Sequence, residues 1–129
     1  MSKQIQDNCG IAIQVSTQYL QQQSDPGCPS YAFAYTITIL NNRDQPVRLL
    51  SRHWIITDQN GKVDEVKGNG VVGQQPLIAP GHSYQYSSGA VLQTEIGDMH
   101  GSYTMQDADG ELFDAPIPLF VLAVPHMLH

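Results

Sequence analysis

The chain has 129 residues, 41% of them hydrophobic and 14% charged, enough apolar material for one buried core and too much for a disordered segment. Six Lys and Arg against twelve Asp and Glu leave a net charge of −6, which argues against a nucleic-acid backbone as the main partner. No apolar run reaches the roughly 18 residues that cross a bilayer, and Met1–Asp7 lacks the apolar stretch of a signal peptide, so we expect a cytoplasmic protein with no membrane partner.

Ile11, Ile13 and Val15 recur at period two across residues 11–17, the pattern of a half-buried strand. Tyr19 to Pro29 is Gln-rich and contains Asp25-Pro26-Gly27, a loop. Tyr31, Phe33, Tyr35, Ile37 and Ile39 then alternate with Ala and Thr, the clearest strand in the chain. After a turn at 41–46, Val47–Asp58 reads as a long strand with two partly apolar faces, which implies a bulge or a central position. Asn60-Gly61 predicts a hairpin with a type I′ turn, and Lys62–Lys67 is its return strand.

The second half continues in the same grammar. Ala79-Pro80-Gly81 is a turn, Tyr84 and Tyr86 mark a strand, and Gly97 and Gly101 punctuate the approach to another at Tyr103 and Met105. Asp107-Ala108-Asp109-Gly110 is a turn leading into Glu111–Ile117 and Leu119–Leu122, where Pro116 and Pro118 indicate an edge or a strand switch. Some seven to nine short strands and no sustained helical period predict an all-β antiparallel sandwich, one domain over 1–129 with its core from about 9 to 125 between short loose termini.

Candidate chemistry is sparse. Cys9 and Cys28 form no metal-binding pair and are expected as reduced thiols. Six acids and no base lie among Glu95, Asp98, Asp107, Asp109, Glu111 and Asp114, either a patch for a basic partner or a solvated face. Gly68-Asn69-Gly70-Val71-Val72-Gly73 matches G-x-G-x-x-G, the loop that brings backbone close to a pyrophosphate at a helix N-terminus. Pro76 follows at once and forbids that helix, so the favoured expectation is a structural loop. The alternative is a weak phosphate contact at Gly68, Gly70 and Gly73, aided by Lys67 or Arg52. The five histidines (His53, His82, His100, His126, His129) have neither helical nor same-face strand spacing for a metal, and Asp107, Asp109 and Glu111 stop short of a calcium loop. Ser51 and His53 fall side by side on one strand face rather than in a triad, and Trp54 reads as core. No catalytic residue, cofactor or metal site is expected.

Several segments taken together resemble the bacterial ApaG family, also called CorD. They are Ser51-Arg52-His53-Trp54 through Asn60-Gly61-Lys62, Gly68–Pro76 with Pro80-Gly81, Tyr86-Ser87-Ser88-Gly89, Gly97–Tyr103, and Asp109–Asp114 with Ile117-Pro118-Leu119-Phe120. The resemblance runs in order over most of the chain. It implies a fibronectin type III-like, immunoglobulin-like sandwich, no established enzyme activity, and an association with cobalt tolerance and magnesium efflux. It also implies protein–protein binding, because similar domains are fused into an F-box protein and a DNA polymerase delta-interacting protein. Within the family the glycine loop has been suggested to touch pyrophosphate. A protein partner is therefore expected, with a homodimer left open.

Overall fold

β-branched and aromatic side chains at every second position favour an extended backbone with one dry face. In a computed structural model, which describes residues 3–127, these segments fold as strands β1 (Lys3–Asn8), β2 (Ile11–Tyr19), β3 (Tyr31–Asn41), β4 (Val47–Asp58), β5 (Val63–Asn69), β6 (Leu77–Ile78), β7 (Ser83–Leu92), β8 (Ile96–Gln106) and β9 (Leu112–Ala123). Two single 3₁₀ turns, Gln21–Gln23 and Pro125–Met127, complete the regular structure of these residues. All strand pairs are antiparallel. One sheet runs β1-β2-β3-β7 and the other β5-β4-β8-β9, with β6 beside the start of β4. Leaving aside β1 and the two-residue β6, this is the strand order of a fibronectin type III sandwich. The all-β expectation holds.

The period-two residues meet between the sheets. Ile11, Ile13 and Val15 from β2 and Phe33, Tyr35, Ile37 and Ile39 from β3 face Leu49, Trp54, Met99, Tyr103, Met105, Ile117, Phe120 and Leu122 in one core. Trp54 lies at its centre, with the rings of Tyr35, Tyr103 and Phe120 edge-on to it at centroid distances of 5.5, 6.3 and 5.8 Å. A hydrogen bond between the hydroxyls of Tyr86 on β7 and Tyr103 on β8 ties one sheet to the other.

Four local features differ from the sequence expectation or sharpen it. Residues 3–8, which show no alternation, form β1 because β2 offers an open edge with which they pair from Lys3↔Ser16 to Asn8↔Ile11. β4 is both central and bulged, with an extra residue at Leu50 between Leu49↔Met105 and Ser51↔Thr104. The Asn60-Gly61 hairpin forms with a different turn: only Gly61 has positive φ (84°), Gly61 N donates to Asp58 O and Asp58 N to Lys62 O. That is a type I turn closed by a glycine bulge, held by Asp58 Oδ1, which accepts the amides of Asn60 and Lys62 at 2.9 Å each. Gly97 and Gly101 lie inside β8 rather than ahead of it. A Cβ on Gly101 would sit 1.9 Å from the His53 carbonyl oxygen, so glycine is what lets β8 approach β4.

The Asp107–Glu111 hairpin repeats the Asp58–Lys62 turn in every bond. Gly110 N donates to Asp107 O, Asp107 N to Glu111 O, and Asp107 Oδ1 accepts the amides of Asp109 and Glu111. The Asp107 carboxylate thus serves a turn, and Asp109 and Glu111 contribute only their backbone amides to it. Pro116 and Pro118 lie on β9, which is an edge strand as expected; Pro116 pairs in register with Ser102, and the register shifts by one residue where His100 meets Pro118 and Leu119.

Candidate functional site

The glycine loop grows out of the β4–β5 hairpin, and each candidate residue there has a definite place. Arg52 lies directly opposite Gly68 on β5 and Tyr103 on β8, two residues before the buried Trp54, so it is a charged residue on an inward-facing position. Its Nη1 donates to the carbonyls of Asn69 (3.1 Å) and Gly70 (2.9 Å). A Cβ on Gly68 would fall 2.8 Å from that same guanidinium. Lys67 is opposite His53, so its side chain faces the outer surface, where an open hollow of about 490 Å³ is lined by Lys67, Ser51, His53, Ser102, Thr104 and Asp114 and also by Arg52, Gly68 and Asn69. The structure thus bonds Arg52 to the backbone beside Gly68 and Gly70, while the Lys67 side chain leaves the opposite face of the sheet and shares with Arg52 and Gly68 only the lining of that open outer hollow.

Beyond Gly68 the loop closes on itself. Gly70 (φ 62°) donates its amide to Leu50 O, the carbonyl of the bulged residue in β4. Val71 and Gln74 exchange both backbone hydrogen bonds (2.8 and 2.9 Å) around Val72 (φ 48°) and Gly73 (φ 77°). Positive φ at both central residues makes this the type I′ turn that had been expected at Asn60-Gly61. Gln75 Nε2 adds a second donor to Leu50 O, and Arg48 Nη1 donates to Gln75 O. The amides of Gly70, Val71 and Gln74 are therefore engaged within the protein, and β6 follows where a phosphate-binding loop would have a helix.

Between this turn and β7 lies a recess of about 180 Å³ lined by Arg52, Tyr35, Tyr86, Ser88, Val71 and Val72. Burial pushes the phenol pKa values of Tyr35, Tyr86 and Tyr103 upward, and the Arg52 guanidinium opposes that shift at all three. The phenols therefore stay neutral donors or acceptors at neutral pH. Sequence reasoning found Arg52 but missed these tyrosines as its company. The available signal was the arginine itself, spaced by two from a core tryptophan on a strand.

On the outer face, His53 Nε2 lies 2.8 Å from Glu65 Oε2, and that hydrogen bond, with the charge of Lys67, lowers the Glu65 pKa. The acidic stretch is divided among separate tasks: Glu95 pairs with His126, Asp107 holds its turn, and Asp114 accepts from Thr104 Oγ1. Among the described residues no three His, Cys, Asp or Glu side chains converge as a metal site, and no helix is long and apolar enough to cross a membrane.

A family model described as the ApaG domain matches residues 21–107. The protein named ApaG from Ectopseudomonas mendocina (strain ymp) is 59% identical over 119 residues, 92% of this chain and 94% of its own. The ApaG protein of Azoarcus sp. (strain BH72) is 55% identical over the same shares, 92% and 94%. The crystal structure of an ApaA protein from Bordetella pertussis is 48% identical and superposes with a TM-score of 0.87 over 89% of this chain and 94% of its own. The family match runs from the Gln-rich loop through the Arg52–Gly70 contact to the end of β8, and the identity beyond it reaches nearly the whole chain. On that combined ground, the chain belongs to the ApaG family.

Proposed function

We propose that this chain is a non-enzymatic protein-interaction domain of the cytoplasm, acting in the cobalt tolerance and magnesium efflux that the ApaG resemblance implies. The observation that carries the interaction reading is the edge of β7. Natural sheets guard their edges with charge, proline or bulges, since a bare edge is a template for another strand. β9 carries Pro116, Pro118 and a register shift, and β5 carries Asp64, Glu65 and Lys67. β7 has ten residues, Ser83–Leu92, with no charge and no proline, and pairs only with β3 among the described strands. Val91, on its outward side, is 67% exposed. An unguarded strand of this length suits addition of a partner's strand, which main-chain hydrogen bonds hold and alternate side chains select.

The test is affinity purification from the native host with the wild type and with Ser87→Lys/Val91→Lys, two outward-facing changes that guard the edge. The expected result is a specific partner lost from the variant while its melting temperature stays within a few degrees of wild type. A partner set unchanged in the variant would refute the edge as the binding surface. A nucleotide arm runs alongside it. We expect no change of melting temperature with millimolar ATP or diadenosine tetraphosphate. A salt-sensitive rise of several degrees would favour the alternative role, a small-ligand binder holding a pyrophosphate at Gly68–Gly73.

A further inference from the structure

The recess beside β7 has the chemistry of a side-chain pocket for such a strand. On β7 the side chains of Tyr84, Tyr86, Ser88 and Ala90 point inward, because Tyr86 pairs with the buried Ile37 and Ser88 with the buried Tyr35. A strand added to the free edge of β7 continues that alternation. Its inward residue beside Tyr86 and Ser88 therefore enters the space between β7 and the Val71–Gln74 turn. Arg52 stands on the far side of this space.

Arg52 is a cation without a counter-ion there. Two carbonyls hold its Nη1, which fixes the guanidinium plane, while among the described residues no carboxylate pairs with it and no acceptor bonds Nε or Nη2. The rest of the lining is neutral: phenol hydroxyls that stay protonated, Ser87 and Ser88, Trp54 and the aliphatic groups of Val71 and Val72. A guanidinium fork matches a carboxylate, and the valine and tyrosine walls suit the methylene stem that carries one. A phosphorylated side chain would bring close to two negative charges to a single arginine in a recess with no other cation, which is the poorer match.

We propose that the recess takes the carboxylate of one Asp or Glu side chain on an extended segment of a partner protein, seated against Arg52 as that segment adds to β7. The proposal rests on the interaction reading above and specifies the partner's chemistry. Val72, strained in the left-handed region at φ 48° and 63% exposed, forms part of the rim that the acidic side chain passes.

The probe is a displayed library of random twelve-residue peptides selected on the immobilised full-length protein. The expected winners are β-prone sequences with a single Asp or Glu at a fixed position. Changing that residue to Asn or Gln in the peptide should weaken binding about tenfold or more, the usual effect of losing a charge-assisted hydrogen bond. This measurement leaves the protein untouched, so it cannot be confounded by unfolding. Arg52→Met should give a matching loss and Arg52→Lys an intermediate one, with the fold of both checked by circular dichroism. N-methylation at alternate peptide positions should also abolish binding, and bound peptide should slow hydrogen exchange in 83–92. Peptides that bind β7 without an acidic preference, or that ignore Arg52→Met, would overturn the carboxylate pocket and leave the interaction reading standing. Peptides indifferent to N-methylation, or no selected peptide at all, would overturn both. A concentration-dependent dimer that protects 83–92 would overturn the foreign partner in favour of a second copy. Tighter binding of a phosphoserine peptide than of its glutamate counterpart would overturn the choice of carboxylate.

Discussion

Replacing Gly70 with alanine separates two constraints that the loop imposes at one position. Gly70 has φ 62°, and a Cβ there would lie 2.2 Å from the Gln74 carbonyl oxygen and 2.9 Å from its carbon. The left-handed backbone alone costs a non-glycine residue about 1 kcal/mol. The clash is with backbone, whose carbonyl is held by the Val71 amide, so relief requires opening the type I′ turn. Overpacking of this kind costs about 1–3 kcal/mol, which brings the expected total to about 2–4 kcal/mol. For a domain of this size that lowers the melting temperature by roughly 6–20 °C. Gly73→Ala is the internal control. Its φ is 77°, with nothing within 4 Å of the new Cβ, so it carries the conformational term and no clash. It should cost about 1 kcal/mol, or roughly 3–5 °C. Thermal melts of the two variants decide the matter. Equal losses would refute the claim that contact with Gln74 makes glycine necessary at position 70.

The twin turns should contribute independently. Asp58→Ala and Asp107→Ala should each cost about 1 kcal/mol in denaturant melts by removing an acceptor of two amides, and the double variant should show their sum, because the turns lie at opposite ends of the β4–β8 pair. The buried tyrosines set the alkaline limit. Folding raises the pKa of Tyr35, Tyr86 and Tyr103 above the ordinary 10.0, so their contribution is complete below pH 10 and is lost as the pH climbs beyond it. Absorbance at the phenolate band should therefore show these three ionising together with unfolding, and early titration of all six tyrosines in the folded protein would contradict the burial.

What the sequence made legible was set by how local each cause is. β3 is written in its own alternation and β4 in an apolar run on both faces, so both are legible from residues within a few positions of one another. β1 has no such pattern because its reason for being a strand is the edge of β2. The turn at Asn60-Gly61 was located correctly and typed wrongly, since the Asp58 carboxylate, two positions upstream, decides between turn types by drawing in the amides of Asn60 and Lys62. Gly101 gave no local sign that it lies within a strand. Its constraint is the His53 carbonyl on a neighbouring strand, 48 positions earlier in the chain. Arg52 was picked out for its charge, yet its partners depend on cross-strand register: that register opposes it to Gly68 and Tyr103 and turns Lys67 away.

The three glycines of the G-x-G-x-x-G letters at 68–73 each have a reason in the fold. Gly68 makes room for the Arg52 guanidinium, Gly70 for the Gln74 carbonyl, and Gly73 supplies the second positive φ of a type I′ turn. These are three separate structural requirements. Val72 has no comparable explanation. A β-branched residue in the left-handed region costs roughly 1–3 kcal/mol, and asparagine or glycine would hold the same turn with less strain. Its side chain is largely exposed, so core packing does not account for valine there. Strain of this kind persists where the surrounding structure over-determines it, and here the turn is fixed at both ends by the bonded pair Val71–Gln74 and by Leu50 O. The result is an aliphatic group held rigidly at the mouth of the Arg52 recess, the one feature of the loop whose physical sense lies outside the loop.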